Sequence, residues 1–406
     1  MPSFLAPVRV RSLVFALVGF LAADSQSSAT PLFIPLGLGF IPGESGADRT
    51  TVMGISADGS VVVGIDSHFA TGAGRAWRWT LSGGYVFLDD GGGTYQSTGA
   101  FAVTSDGSVI VGYANTSPAL EVAAYWDPGG SIHSIGDLGG GSLHSYADAV
   151  SDDGSVIAGL GHTANGSHAF AWTQASGITQ LDPGSADQSD PAGVSGDGRV
   201  IVGYRDVGAP QSSAHEAFSW TAETGMVGLG FLPNTPGLTE SSNASAASYD
   251  GSVIVGQSTS ANADYPLYAG GGEAFLWTPS GGMVGLGDLP GGFFSSLALD
   301  VTADGKTVVG SSHTSVTTPP GVAPVQAFIW DPVHGMRLLQ DVLASEYGLD
   351  LSDWILSSPG GISADGQTMF GIGINPSNEL QYWAVFLPEP ELLPNSGPLR
   401  VSPLRG

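Results

Sequence analysis

Apolar residues in this chain come in strings of four to six, divided by glycine-rich breaks, and four kinds of string return in a fixed order. The first ends at an Asp-Gly pair, as in "DAVSDDG" (148–154) and "LDVTADG" (299–305). The second is a β-branched run closed by glycine, such as Val156-Ile157, Val200-Ile201-Val202 or Val253-Ile254-Val255. The third alternates an aromatic pair: "AFAWT" (169–173), "AFSWT" (217–221), "AFLWT" (274–278) and "AFIWD" (327–331). The fourth is "GMVGLG" (225–230 and 282–287), with weaker copies "GSIHSIG" (130–136) and "GITQL" (177–181). Val, Ile, Phe and Trp in such strings predict strands, and none of the four has a helical period. One stretch, "LLQDVLASEYGL" (338–349), predicts instead a short helix in a connection.

The Asp-Gly pairs stand at Asp58, Asp106, Asp153, Asp197, Asp250, Asp304 and Asp365. That is 307 residues in six steps, a mean period of about 51, in the range of solenoids, propellers and arrays. The surrounding S-x-D-G-x predicts a three-residue hairpin loop with glycine in the left-handed conformation. A hydroxyl residue precedes each Asp by two places (Ser56, Thr104, Ser151, Ser195, Ser248, Thr302, Ser363) and can bond an amide inside the turn. The repeated aspartates thus have a sufficient structural cause. One carboxylate per turn does not make a calcium site or a catalytic site.

Phe170 and Trp172 and their equivalents alternate at period two, so both project to one strand face. Burying such a pair contributes several kcal/mol per repeat, at roughly 25 cal/mol per Å². The last copy, "QYWAV" (381–385), puts Trp383 at the Phe position and Val385 at the Trp position, so packing there is altered but kept. Four strands in each of seven repeats predict an all-β fold, a seven-bladed β-propeller. A linear solenoid would need polar caps, and none is visible. The seventh repeat runs out after its third strand, while "GLGFIPG" (37–43) closely matches "GLGFLPN" (228–234). The N-terminal strand, roughly 33–40, should therefore complete the last blade and close the ring.

Composition narrows the function classes. With 37 acidic against 11 basic residues, the formal charge is −26, which repels phosphate backbones and excludes a nucleic-acid partner. Arg9 and Arg11 precede "LVFALVGFLA" (13–22), and small residues follow, so residues 1–29 read as a signal peptide. No later stretch is apolar enough to span a membrane, and export to the cell surface or beyond is expected. There are 0 cysteines, so no disulfide stabilises the fold in an oxidising compartment. The expected organisation is a signal at 1–29, one propeller over 30–387 and a Pro-rich tail over 388–406.

On "GISADGSVVVG", "EAFLWT" and "GMVGLGDLPGG", recurring in order over roughly residues 33–387, the chain resembles the HAF-type extracellular repeat family of bacteria. The S-x-D-G turn also resembles that of TolB-like propellers, an architectural likeness. The HAF resemblance implies export and a non-catalytic character, with no ligand to carry over. "FLPEPELLP" (386–394) resembles the opening of PEP-type sorting tags, but the apolar helix and basic cluster of such tags do not follow. A tail without a sorting role is expected.

No nucleophile motif, phosphate loop or metal-spaced histidine cluster is present, so no catalytic residue, metal or cofactor is assigned. The eight histidines fall at different positions in their repeats and form no ring; His162 and His168 make only a weak ligand pair. Long variable loops at 204–215, 257–272 and 311–324 lie on the face opposite the Asp-Gly turns, where binding is expected. Eight places before each turn Asp stands a hydroxyl residue (Thr50, Thr98, Ser145, Ser189, Ser242, Ser296, Ser357), expected to bond strand ends rather than line the channel mouth. Asp148, Asp190 and Asp300 break the repeat consensus and are the candidate binding residues, with at most weak calcium binding around Asp190 or Asp300. The expected function is a monomeric, secreted or surface-displayed binding scaffold for a protein or carbohydrate. A propeller enzyme acting on extracellular carbohydrate and a structural matrix component are the alternatives.

Overall fold

The structure is a computed structural model that describes residues 30–36, 49–67, 73–117, 120–185, 187–207, 214–235, 239–263, 272–316 and 324–388. The expected signal (1–29), the "GLGFIPG" copy and most of the tail lie outside these residues, as do parts of the three long loops.

Seven antiparallel four-stranded sheets follow one another along the chain. Six are built from consecutive strands and form blades 1 to 6, over 49–87, 97–136, 145–180, 189–228, 242–285 and 296–338. Blade 7 takes three strands from 355–386 and its fourth from the N-terminal strand Leu32–Leu36. The first strand of each blade contacts the first strand of the next, and blade 7 contacts blade 1 in the same way, so the sheets close around a central channel. The fold is a seven-bladed β-propeller. Its interior is divided into seven apolar clusters, one at each junction between blades. The cluster between blades 7 and 1 includes Leu36, Val62, Trp77 and Phe370.

The closing strand does its work in a different register from the one the repeat copy implies. Pro35 pairs with Trp383 and Phe33 with Val385, two residues earlier than aligning Gly37 with Gly228 would place them. The shift brings the Phe33 ring onto Trp383, 6.3 Å away and stacked, and edge-on to Trp354 at 5.1 Å. The N-terminal strand thereby supplies the second aromatic ring that blade 7 lacks at Val385. Trp383 and Val385 are both fully buried.

The Asp-Gly turn closes over four residues, not three. Ser56 donates its amide to Val61 O at 2.9 Å, leaving 57–60 as the loop. The amide of Val61 returns not to a carbonyl but to the Ser56 hydroxyl, at 2.9 Å. That hydroxyl donates to Asp58 Oδ1 at 2.6 Å, and Asp58 Oδ1 also accepts the Ser60 amide at 2.9 Å. The side-chain bonds replace the strand bonds a wider loop forfeits, which is why both residue types recur. The same three bonds are present in all seven turns, for example at Ser151, Asp153, Ser155 and Val156. The glycine has a φ between 68° and 77° in each, a region that favours glycine. In Asp106 the hydroxyl and amide of Ser108, then the Thr104 hydroxyl, hold the carboxyl below its ordinary value.

The glycine closing each β-branched run has another cause. A Cβ on Gly159 would lie 2.0 Å from Tyr146 O and 2.6 Å from the Phe170 ring, and one on Gly310 would meet Leu297 O and Phe328 in the same way. The inner aromatic therefore lies flat over bare backbone, and Phe170, Phe218, Phe275 and Phe328 are fully buried. The outer Trp172, Trp220, Trp277 and Trp330 are half-buried against the same junction as the Phe of their pair. Between blades 6 and 7 the helix Leu339–Tyr347 covers the cluster with buried Leu339, Val342 and Leu343, and it ends at Gly348 with φ 69°.

Three substitutions rank these causes by urea denaturation. Gly159→Ala is expected to cost about 3 kcal/mol or more, because backbone rather than a movable side chain blocks the Cβ. Ser151→Ala should cost about 1–3 kcal/mol, leaving the Val156 amide without its acceptor and Asp153 with Ser155 alone. Ser176→Ala, in an exposed outer turn, should stay within about 0.5 kcal/mol. Equal effects at Gly159 and Ser176 would contradict the packing account.

Candidate functional site

Each first strand carries a β-bulge at the fifth residue before its turn Asp: Met53, Phe101, Asp148, Ala192, Ser245, Leu299 and Gly360. A bulge re-aims one residue out of the ladder, and these seven residues all line the central channel, a cavity of about 250 Å³. Six of them are apolar or small, and Asp148 is the one charge. At the turn face the channel is encircled by backbone. Amide-to-carbonyl bonds run Asp58 to Ser105, Ser105 to Asp152, Asp152 to Gly196, Asp197 to Tyr249, Tyr249 to Ala303, Ala303 to Ala364 and Ala364 to Ala57, all between 2.9 and 3.3 Å. That face is committed to holding the ring together.

The three candidate aspartates have separate fates. Asp300 lies on the channel wall towards the turn face. Its Oδ2 accepts the Ile362 amide of blade 7 at 2.9 Å and its Oδ1 the Val301 amide at 2.8 Å. Burial pushes its carboxyl up to about 6 against the pull of those amides. Asp300 thus clasps blade 6 to blade 7, an architectural cause for a residue that departs from the repeat, and it does not reach the loop face expected from the sequence. Asp190 does lie on that face, in a cavity of about 270 Å³ between blades 3 and 4. Its Oδ2 accepts the Tyr204 hydroxyl at 3.1 Å. In Asp148 burial first, then the charge of Asp190, push the carboxyl up to about 8. Its Oδ2 has neither solvent contact nor a hydrogen-bond partner. Asp148 therefore shares the channel with Asp300, while Asp190 lines a separate cleft and reaches Asp148 only through its charge.

In five of the seven blades the hydroxyl column bonds backbone of the preceding blade; in blade 1 Thr50 donates to Asp66 of its own blade, and in blade 7 the Ser357 hydroxyl is buried without a partner. Thr98, Ser145, Ser189, Ser242 and Ser296 accept the amides of Ala76, Ala123, Ala169, Ala217 and Ala274 at 2.9–3.0 Å. Ser145, Ser242 and Ser296 pass their own proton to the carbonyls of Gly136, Gly230 and Gly287. At blades 3 and 4 a side chain takes that place: Ser189 donates to Asp182 Oδ2 at 2.8 Å, and fully buried His168 lies 3.1 Å from the same oxygen. His168 is explained by this staple and is not paired with His162. Among the described residues no group of three or more His, Asp or Glu could hold a metal ion.

The loop-face end of blades 2 to 4 gathers residues that the sequence reading passed over. Tyr113 and Tyr146 meet edge-on at 5.8 Å, with Phe101 5.6 Å from Tyr113. The Tyr146 hydroxyl donates to Glu121, which also faces His144 at 3.2 Å. Tyr204 lies edge-on to His215 at 4.8 Å, and His215 pairs with Asp206 at 2.9 Å. Burial raises the Tyr113 phenol, and does so for Tyr204 together with the charge of Asp190. A signal existed: the residue after each closing glycine is Ile65, Leu160, Gln257, Ser311 or Ile372 elsewhere but tyrosine at 113 and 204.

No family model matches the chain, and no curated protein matches it. Solved structures do. The oligogalacturonate lyase of Vibrio parahaemolyticus is 11% identical with a TM-score of 0.53, over 89% of this chain and 99% of the lyase. An oligogalacturonate lyase in complex with manganese is 12% identical with a TM-score of 0.52 over the same shares. The β-propeller domain of the Trilobed protease from Pyrococcus furiosus, described as having an open velcro topology, is 11% identical with a TM-score of 0.50, over 84% of this chain and 94% of that one. At such identities the likeness is one of fold alone. The described residues include no helix long and apolar enough to cross a membrane.

The state of Asp148 sets a pH dependence. Its folded value, about 8, lies above the unfolded value of about 3.9. Folding therefore favours the neutral carboxyl, and its contribution is complete below pH ~4 and lost as pH rises through 8. Asp148→Asn, which keeps shape without charge, should raise Tm at pH 8–9 and leave it unchanged near pH 4. Parallel Tm-against-pH profiles for the two proteins would contradict this placement.

Proposed function

We propose that this chain is a secreted, non-catalytic propeller of the HAF type that holds a protein or carbohydrate partner on its loop face. The observation that carries the reading is how the repeat's irregularities are distributed. Tyr113, Tyr146, Tyr204, Asp190 and Glu121 cluster at the loop-face end of blades 2 to 4, where no repeated bond uses them. The turn face, by contrast, consists of repeated turns stitched by backbone bonds. Aromatic rings beside fixed acceptors on a rigid scaffold are the ordinary material of a binding face. The signal-like leader in the sequence supports export.

A second reading has an observation of its own. Burial and the charge of Asp190 favour a neutral Asp148, and a carboxyl held neutral within reach of a second acidic group is the division of roles a glycoside-cleaving site uses. Binding of the mature protein to purified cell-envelope polysaccharide and protein fractions separates the two. Tyr146→Ala combined with Tyr204→Ala should weaken binding at least ~10-fold, and Tyr249→Ala on the turn face should leave it unchanged. Turnover of a polysaccharide by the wild type, lost in Asp190→Asn, would overturn the non-catalytic reading.

A further inference from the structure

We propose that the cleft between blades 3 and 4 on the loop face is a pocket for the ammonium group of a lysine side chain presented by a basic protein partner. The proposal rests on the binding-face reading above and gives that face its ligand chemistry. The cleft, about 270 Å³, is lined by Asp190, Asp206, Tyr204, His215, Leu160 and Ser167. Two carboxylates on different strands, an aromatic ring and an aliphatic wall suit an alkyl chain ending in a compact positive charge. The Tyr204 ring is fixed from two sides, by its hydroxyl on Asp190 at 3.1 Å and by the His215 ring at 4.8 Å.

The basic groups at the pocket are already engaged: Arg205 by Glu216 at 2.7 Å, and His215 by Oδ1 of Asp206 at 2.9 Å. The chain contains a single Lys and a formal charge of −26, so a compensating cation comes from outside. Calcium needs six to eight oxygens, and no metal-holding group exists among the described residues. Arginine prefers a carboxylate with both oxygens open to its fork, and Tyr204 occupies one oxygen of Asp190.

Calorimetry of the full mature chain with Nα-acetyl-lysine methylamide tests this. One saturable site is expected, with Kd of about a millimolar or tighter, and no heat from the norleucine analogue. Asp190→Asn and Asp206→Asn should each weaken it at least ~10-fold, and Tyr204→Phe less than Tyr204→Ala; thermal melts check that each variant folds. No isotherm, equal binding of norleucine, or an unchanged Asp190→Asn would overturn the proposal. Tighter binding of cadaverine or glucosamine than of the lysine derivative would overturn its peptide source. If Tyr146→Ala with Tyr204→Ala abolishes envelope binding while the lysine derivative gives no heat, the binding face stands and only the lysine pocket fails.

Discussion

A ring of sheets stays closed only if its last blade is completed, and here one five-residue strand from the other end of the chain completes it. Without Leu32–Leu36, strand Leu380–Phe386 would present an open edge and the junction between blades 7 and 1 would lose Leu36. Phe33 adds the stacking that Val385 cannot give Trp383. With no disulfide in the chain, closure is noncovalent, and everything the ring positions depends on it.

Each repeated residue then serves a junction or a turn. In five blades the hydroxyl eight places before the turn Asp ties the blade to the one before it. The turn hydroxyl and Asp tie the loop to its own strands, and the turn backbone ties each blade to the next around the axis. These bonds are local in each blade but circular in sum. On the opposite face the repeated hydroxyl ties run between strand ends, and Tyr146, Tyr204 and Asp190 stand beside them without taking part.

Most of the fold was legible because the repeat displays each column seven times. The Asp-Gly turns, the aromatic pairs and the missing fourth strand of the last blade follow from periodicity, and the helix near 338–349 shows as a departure from it. What periodicity hides is three-dimensional. The bulge that turns Asp148 into the channel leaves no trace in strand patterning. The closing register differs by two residues from the best sequence match, and stacks Phe33 on Trp383, a contact between chain ends that no local pattern records. Asp300 looked like a functional irregularity and proves to be a clasp for the Ile362 amide, a bond spanning 62 residues that sequence spacing cannot reveal. The Tyr113, Tyr146 and Phe101 cluster draws on separate strands of two blades, so no local motif marks it.

The central claim is that closure is one cooperative constraint and not a local embellishment of blade 7. Hydrogen exchange by mass spectrometry, comparing the chain from residue 30 with the chain from residue 37, tests it most directly. The account predicts that loss of Leu32–Leu36 removes protection from 380–386 and also from the turn-ring amides at Asp58, Ser105 and Ala364. Lost protection confined to 380–386, with the turn ring of blades 1 and 2 unchanged, would contradict it.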